Sequence, residues 1–152
     1  MNNLDWPLFL WPLFFLILIY LSAKDIKNRY IESIDLILLL AYALLNIIWL
    51  LLSGSYVIIM YNFIGSGIAW LLFFLIWIVT KKRGIGDGEL YFAPMAFYNI
   101  GWINTIEALY ICFSFASVCC IIGLLTKKMN KKKPLPFIPF LSLGIIISLI
   151  FL

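Results

Sequence analysis

Lys81-Lys82-Arg83-Gly84-Ile85-Gly86-Asp87-Gly88-Glu89, followed by the apolar run Leu90–Trp102, is the stretch on which the number of membrane crossings turns. The chain has 152 residues, of which 65% are hydrophobic and 12% charged, with a mean hydropathy of +1.10. Soluble domains carry about 25% charged residues, so lipid rather than water is the solvent for most of this surface. Apolar runs long enough to cross ~30 Å of hydrocarbon as helix occur at Trp6–Ala23, Ile34–Leu52, Val57–Val79, Thr105–Leu125 and Phe137–Leu152. They are apolar on every face, which excludes a β-barrel, whose strands alternate. Leu90–Trp102 is shorter, and a crossing built on it draws the carboxylates of Asp87 and Glu89 to the membrane boundary.

The charge pattern settles whether that run is counted. All 11 Lys and Arg residues fall in three clusters: Lys24, Lys27 and Arg29; Lys81, Lys82 and Arg83; and Lys127, Lys128, Lys131, Lys132 and Lys133. Six crossings put all three clusters on one side, whereas five would strand the last opposite the others. The positive-inside rule makes the shared side cytoplasmic. The expectation is therefore one all-α membrane domain over residues 1–152. It is a polytopic bundle of six transmembrane helices in the inner (cytoplasmic) membrane, with both termini outside. The first run has its basic residues after it, the reverse of a signal peptide, and is expected to remain as a helix. The net charge of +4 then reports topology and contact with anionic lipid, not nucleic acid. Absence of His excludes metal sites built on imidazole, and the three cysteines form no CxxC pair, so no metal or cofactor is expected.

The seven acids need reasons to be near a bilayer. Asp5 and Glu107 fall on the outer face. Asp25, Glu32, Asp35, Asp87 and Glu89 fall on the cytoplasmic face, so topology allows Asp25 and Asp87 to meet. Gly84, Gly86 and Gly88 surround Asp87, and glycine permits close approach to an extended peptide, although a flexible turn between helices has the same composition. Cys112, Cys119 and Cys120 read as packing residues, and Gly65, Ser66 and Gly67 as a close helix contact. Trp6, Trp11 and Trp102 stand at expected boundaries, and Pro7 and Pro12 are candidates for a bend in the first helix. Asn62 and Asn99 are amides in need of partners.

Three segments carry a resemblance. Lys24-Asp25-Ile26-Lys27-Asn28-Arg29-Tyr30-Ile31 resembles the first signature of the type IV prepilin peptidases, and Gly84-Ile85-Gly86-Asp87 matches the GxGD signature of that family. Lys133-Pro134-Leu135-Pro136-Phe137-Ile138-Pro139-Phe140-Leu141 resembles the stretch before the family's final helix. The order and spacing of the three are those of its six-helix core. Glu32 and Ser33 stand where Pro-Asn is usual, Glu89 where Lys is usual, and Ile138 where Gly is usual. The first loop is too short for the cytoplasmic insert of the larger members, so the resemblance implies peptidase activity without N-methyltransferase activity.

It also implies a substrate, a prepilin-like membrane precursor with a short basic leader cut at the cytoplasmic face, in a type IV pilus or type II secretion context. Asp25 and Asp87 are the implied catalytic pair. One carboxylate takes a proton from water, and the other, protonated, donates to the carbonyl oxygen and then to the amine. Gly84, Gly86, Glu89, Pro136 and Phe137 are candidates for shaping the site. Glu32, Asp35 and Glu89 either attract the basic leader or balance neighbouring basic residues. Two other functions fit less of the pattern. A catalytically silent assembly factor would keep the fold without the chemistry, and a small proton or solute translocator would spread its acids through the membrane depth.

Overall fold

The computed structural model describes residues 10–28, 31–81, 86–126 and 136–151, with the backbone alone at Leu124. These residues form six helices: α1 (Leu10–Asn28), α2 (Ser33–Leu52), α3 (Tyr56–Val79), α4 (Asp87–Phe97), α5 (Gly101–Leu125) and α6 (Ile138–Phe151). Among the described residues there is no strand. Three helices, α2, α3 and α5, are long and apolar enough to cross a membrane. At about 1.5 Å per residue α4 is about 16 Å long and α6 about 21 Å, both short of a ~30 Å core.

The helix boundaries follow from local chemistry. α1 does not stop at Ala23; it runs on to Asn28 and takes Lys24, Asp25 and Lys27 into helix. Its buried stripe, Phe14, Leu18, Leu21 and Asp25, has helical spacing, so the carboxylate is the last member of the core face. Pro12 lies in the first turn, where no intrahelical N–H is required, and Pro7 lies outside the described residues. α2 and α3 are joined through Ser53, Gly54 and Ser55, with Gly54 at φ +72°. Only glycine takes that left-handed conformation without cost.

The run Leu90–Trp102 is not one helix. α4 starts earlier, at Asp87, and ends at Phe97; Tyr98–Ile100 form a turn, Gly101 reverses the chain at φ +73°, and Trp102 belongs to α5. The turn is tightened by Asn99 N–H to Ala96 O (3.2 Å) and Ile100 N–H to Phe97 O (3.3 Å). Tyr98, Asn99 and Ile100 are all buried in protein, as irregular backbone beside lipid must be. Asn46 Nδ2–H donates to Asn99 Oδ1 at 2.9 Å, and Asn99 Nδ2–H to Met95 O at 2.9 Å.

The helices pack up and down. Tyr42 O–H donates to Leu10 O, which pairs α1 antiparallel with α2, and Ser142 on α6 reaches Leu18 O on α1. Ser66 O–H donates to Pro94 O, joining α3 to α4. A methyl at Gly65 would stand 2.7 Å from Thr105 Oγ1 and 2.8 Å from Gly101 C, so α3 and α5 touch backbone to backbone there. Gly67 faces open space and has no part in that contact. Gly144 packs α6 onto Ala108 and Cys112 of α5. Cys112 is buried there, whereas Cys119 is exposed, so the packing reading holds for Cys112 and not for Cys119.

Two ends result. The charged end gathers the C-termini of α1, α3 and α5 with the N-termini of α2, α4 and α6. The turn end holds Ser53–Ser55 and Tyr98–Ile100. Around the sides, large apolar residues such as Leu16, Ile34, Leu52 and Ile103 are exposed, a surface that lipid solvates and water does not.

Candidate active site

At the charged end two carboxylates converge on the start of α6. Asp25, at the end of the α1 core stripe, is 4% exposed. Its Oδ2 accepts the backbone N–H of Ile138 at 3.2 Å, satisfying one of the donors that the first turn of a helix leaves unpaired. Asp25 belongs to none of the three long spans. Burial pushes its carboxyl above the ordinary carboxylate range, and the Ile138 N–H opposes that.

Glu89 arrives from α4. It occupies the third position of the helix and reaches back to Gly86, whose N–H donates to Oε2 at 2.8 Å, one half of a capping box. The N–H of Phe137 also acts on this carboxylate, and so does the charge of Asp25. Burial pushes Glu89 up to about 7; the Gly86 and Phe137 N–H groups act against that shift and Asp25 adds to it.

Asp87 behaves differently. Two positions before Glu89, it points to another side of α4, is exposed, and accepts Trp77 Nε1–H of α3 at 3.0 Å. The structure therefore joins Asp25 to the start of α6, and joins Asp87 to Trp77 on the α3 side. Gly86 is the exposed residue before α4, and Pro136 and Phe137 are half-buried before α6. Gly84 lies outside the described residues. A methyl at Gly88 would stand 3.5 Å from Ile31 Cβ, so the first turn of α4 lies against the chain between α1 and α2.

Apolar rings line the other side. Phe137 packs against Phe113 (centroids 5.6 Å), Phe73 (5.9 Å) and Phe140 (6.4 Å). These rings form the apolar packing at the start of α6, beside the Ile138 N–H that Asp25 accepts.

Glu32 and Asp35 are engaged by Lys24. Lys24 Nζ lies 3.0 Å from Glu32 Oε2 and 2.8 Å from Asp35 Oδ2, and Asp35 is buried. Hydrogen bonds to Asp35 and then Glu32 hold the ammonium above the ordinary lysine range. Asp35 Oδ2 also accepts Glu32 N–H at 3.0 Å, which caps α2. Both acids thus balance a neighbouring base. Trp77 and the Lys24–Asp35 pair are partners that spacing alone does not single out: an indole ten residues before Asp87 reads as a membrane-boundary aromatic.

Among the described residues no three His, Cys, Asp or Glu side chains gather to hold a metal ion. What the arrangement offers is a buried carboxyl at a helix N-terminus, with a half-buried Glu89 and an exposed Asp87 together on the first turn of α4. The chain matches no protein-family model, no curated protein and no solved structure.

Proposed function

We propose that the chain is an aspartic-type endopeptidase of the prepilin peptidase kind. In this reading six crossings place both termini outside, and the charged end faces the cytoplasm, where a short basic leader is cut from a membrane precursor. One observation carries the proposal: the three segments with the motif resemblance close on one another at the charged end. Asp25 of the first segment accepts the N–H of Ile138 in the third, and Gly88, next to the GxGD aspartate, lies against Ile31. The topology draws support from the antiparallel packing, because the basic clusters follow α1, α3 and α5.

The two aspartates differ in a way that suits the chemistry. Asp25, buried and with its affinity for protons raised, is the acid that donates to the carbonyl oxygen of the scissile bond and then to the departing amine. Asp87, exposed to water and oriented by Trp77, is the base that draws the proton from the attacking water. A peptide laid across the first turn of α4 lies between them.

The silent assembly factor has one observation in its favour, the backbone N–H bonds that engage Asp25 and Glu89 as caps. The translocator has less, since the acids around Asp25 collect at one end. Cleavage of a co-reconstituted precursor by wild type, Asp25→Asn and Asp87→Asn separates these readings. The expected result is leader release by wild type and a loss of about 10²-fold or more in each variant. Normal cleavage by both variants removes the two-aspartate mechanism, and an inert wild type favours the assembly factor.

A further inference from the structure

At the opposite end of the bundle Asn46 Oδ1, Asn62 Nδ2 and Tyr98 Oη are enclosed, each without a hydrogen-bond partner among the described residues. Their residues are 1%, 4% and 4% exposed. They gather around the chain reversal between α4 and α5. Asn46 bonds Asn99 within that turn, and Tyr98, which begins it, sets its ring edge-on to Phe63, next to Asn62 on α3 (centroids 5.1 Å). A methyl at Gly101 would stand 3.5 Å from Asn62 Oδ1. Asn46 and Asn62 flank Gly54 at equal spacing along α2 and α3, about 12 Å below that connection and inside two of the long apolar spans. We infer that the reversal is a water-binding site within the membrane bundle, where bound water joins the carboxamides of Asn46 and Asn62 to the Tyr98 hydroxyl.

Hydrogen-bonding chemistry selects the ligand. Met95 O can only accept, so the Asn99 Nδ2–H that it takes fixes the orientation of that carboxamide. Asn99 Oδ1 then accepts Asn46 Nδ2–H, which leaves Asn46 Oδ1 an acceptor in want of a donor. Asn62 Nδ2 is the converse, a donor in want of an acceptor, and the Tyr98 hydroxyl serves either way. A cation would satisfy Asn46 Oδ1 and be repelled by the Asn62 N–H groups; an anion would do the reverse. A small neutral molecule that both donates and accepts suits all three, and water is that molecule. Lipid supplies no hydrogen bonds at this depth, and each enclosed polar group left without one is costly. Water bound here extends the hold of Asn46 on the reversal to α3, so that α2, α3 and the end of α4 meet in one polar layer. No catalytic activity of the chain is required.

The test is water-edited solid-state NMR of the full, isotopically labelled chain in phosphatidylcholine vesicles, with and without a gadolinium chelate that quenches signals fed by bulk water. Exposed Ser53 and buried Ala69 serve as wet and dry references. Water magnetisation should reach the Asn46 and Asn62 carboxamides about twofold faster, or more, than Ala69. Unlike the signal of Ser53, theirs should persist when the chelate is present. Transfer no faster than at Ala69 overturns the site, and loss on adding the chelate overturns it in favour of an open path to bulk water. Thermal melting of Tyr98→Phe, which removes one oxygen and keeps the ring against Phe63, gives an independent sign. With water bound, the variant should melt about 2 °C or more below wild type and show slower transfer at Asn62. An equal or higher melting temperature marks a hydroxyl that stood dry, and overturns the site as well. Should that variant fail to insert, the wild-type spectra decide alone.

Discussion

The backbone N–H of Ile138 donates to Asp25 Oδ2 at 3.2 Å and so fastens the end of α1 to the start of α6, 113 residues later. One carboxylate therefore has two tasks, closing a helix terminus and, in the function proposed, carrying a proton. The tasks are separable because a carboxamide keeps the acceptor oxygen and loses the acid.

Asp25→Asn is expected to melt within a few degrees of wild type and to abolish leader cleavage. Asp25→Ala, which removes the acceptor as well, is expected to lose about 1 kcal/mol or more. Thermal melting in detergent, set beside cleavage of a prepilin-like precursor, distinguishes the two.

Trp77→Phe keeps the ring packing against Phe74 and deletes the N–H that orients Asp87. Stability should change by no more than about 1 kcal/mol, since the bond is exposed. Cleavage should slow through kcat with little change in KM, read from initial rates at several precursor densities.

Lys24 answers two acids, one of them buried. Lys24→Met should lower the melting temperature much more than Glu32→Gln, because it leaves the buried Asp35 carboxylate without its cation. The double variant Lys24→Met with Asp35→Asn should recover most of the loss, which melting curves of the three proteins measure.

The α5–α6 contact at Gly144 leaves no room for a methyl against Ala108 and Cys112, whereas Gly67 faces open space. Gly144→Ala should cost about 1–3 kcal/mol through helix separation, and Gly67→Ala should be tolerated. Chemical denaturation in mixed micelles gives both values.

Glu89 binds its proton more tightly in the folded chain than its ordinary value of 4.5 allows, up to about 7. Between those pH values the folded state holds more proton than the unfolded one. Stability therefore falls as pH rises through this window, by at most about 3 kcal/mol. Melting temperatures at pH 4.5 and 8 should differ in wild type, and most of the difference should vanish in Glu89→Gln.

Much of the helical frame is legible in the sequence. Ile34–Leu52 and Val57–Val79 each fall within one residue of α2 and α3, because long apolar runs bounded by charges or glycine leave little choice. Leu90–Trp102 misleads because hydropathy does not register a chain reversal, and apolar residues continue on both sides of Gly101. The end of α1 reads as loop because charges at a membrane edge suggest one. It stays helical because Asp25 and Lys24 each find a tertiary partner, and such partners depend on elements far along the chain. For the same reason Asp25, Asp87 and Glu89 are legible as candidates, while the joining of Asp25 to Ile138 and of Asp87 to Trp77 is not. Those pairings depend on how α6 meets the end of α1 and on which side of α4 meets α3.

The hydrogen bond between the Asn46 and Asn99 carboxamides has a mechanical side. It holds the far end of α4 inside the bundle, next to the chain reversal at Gly101. At the other end, Asp87 is tied by one exposed indole bond. With its far end fixed at Asn99, the direction of this short helix sets where Asp87 stands. Over a length of about 16 Å, a tilt of about 10° swings Asp87 by about 3 Å.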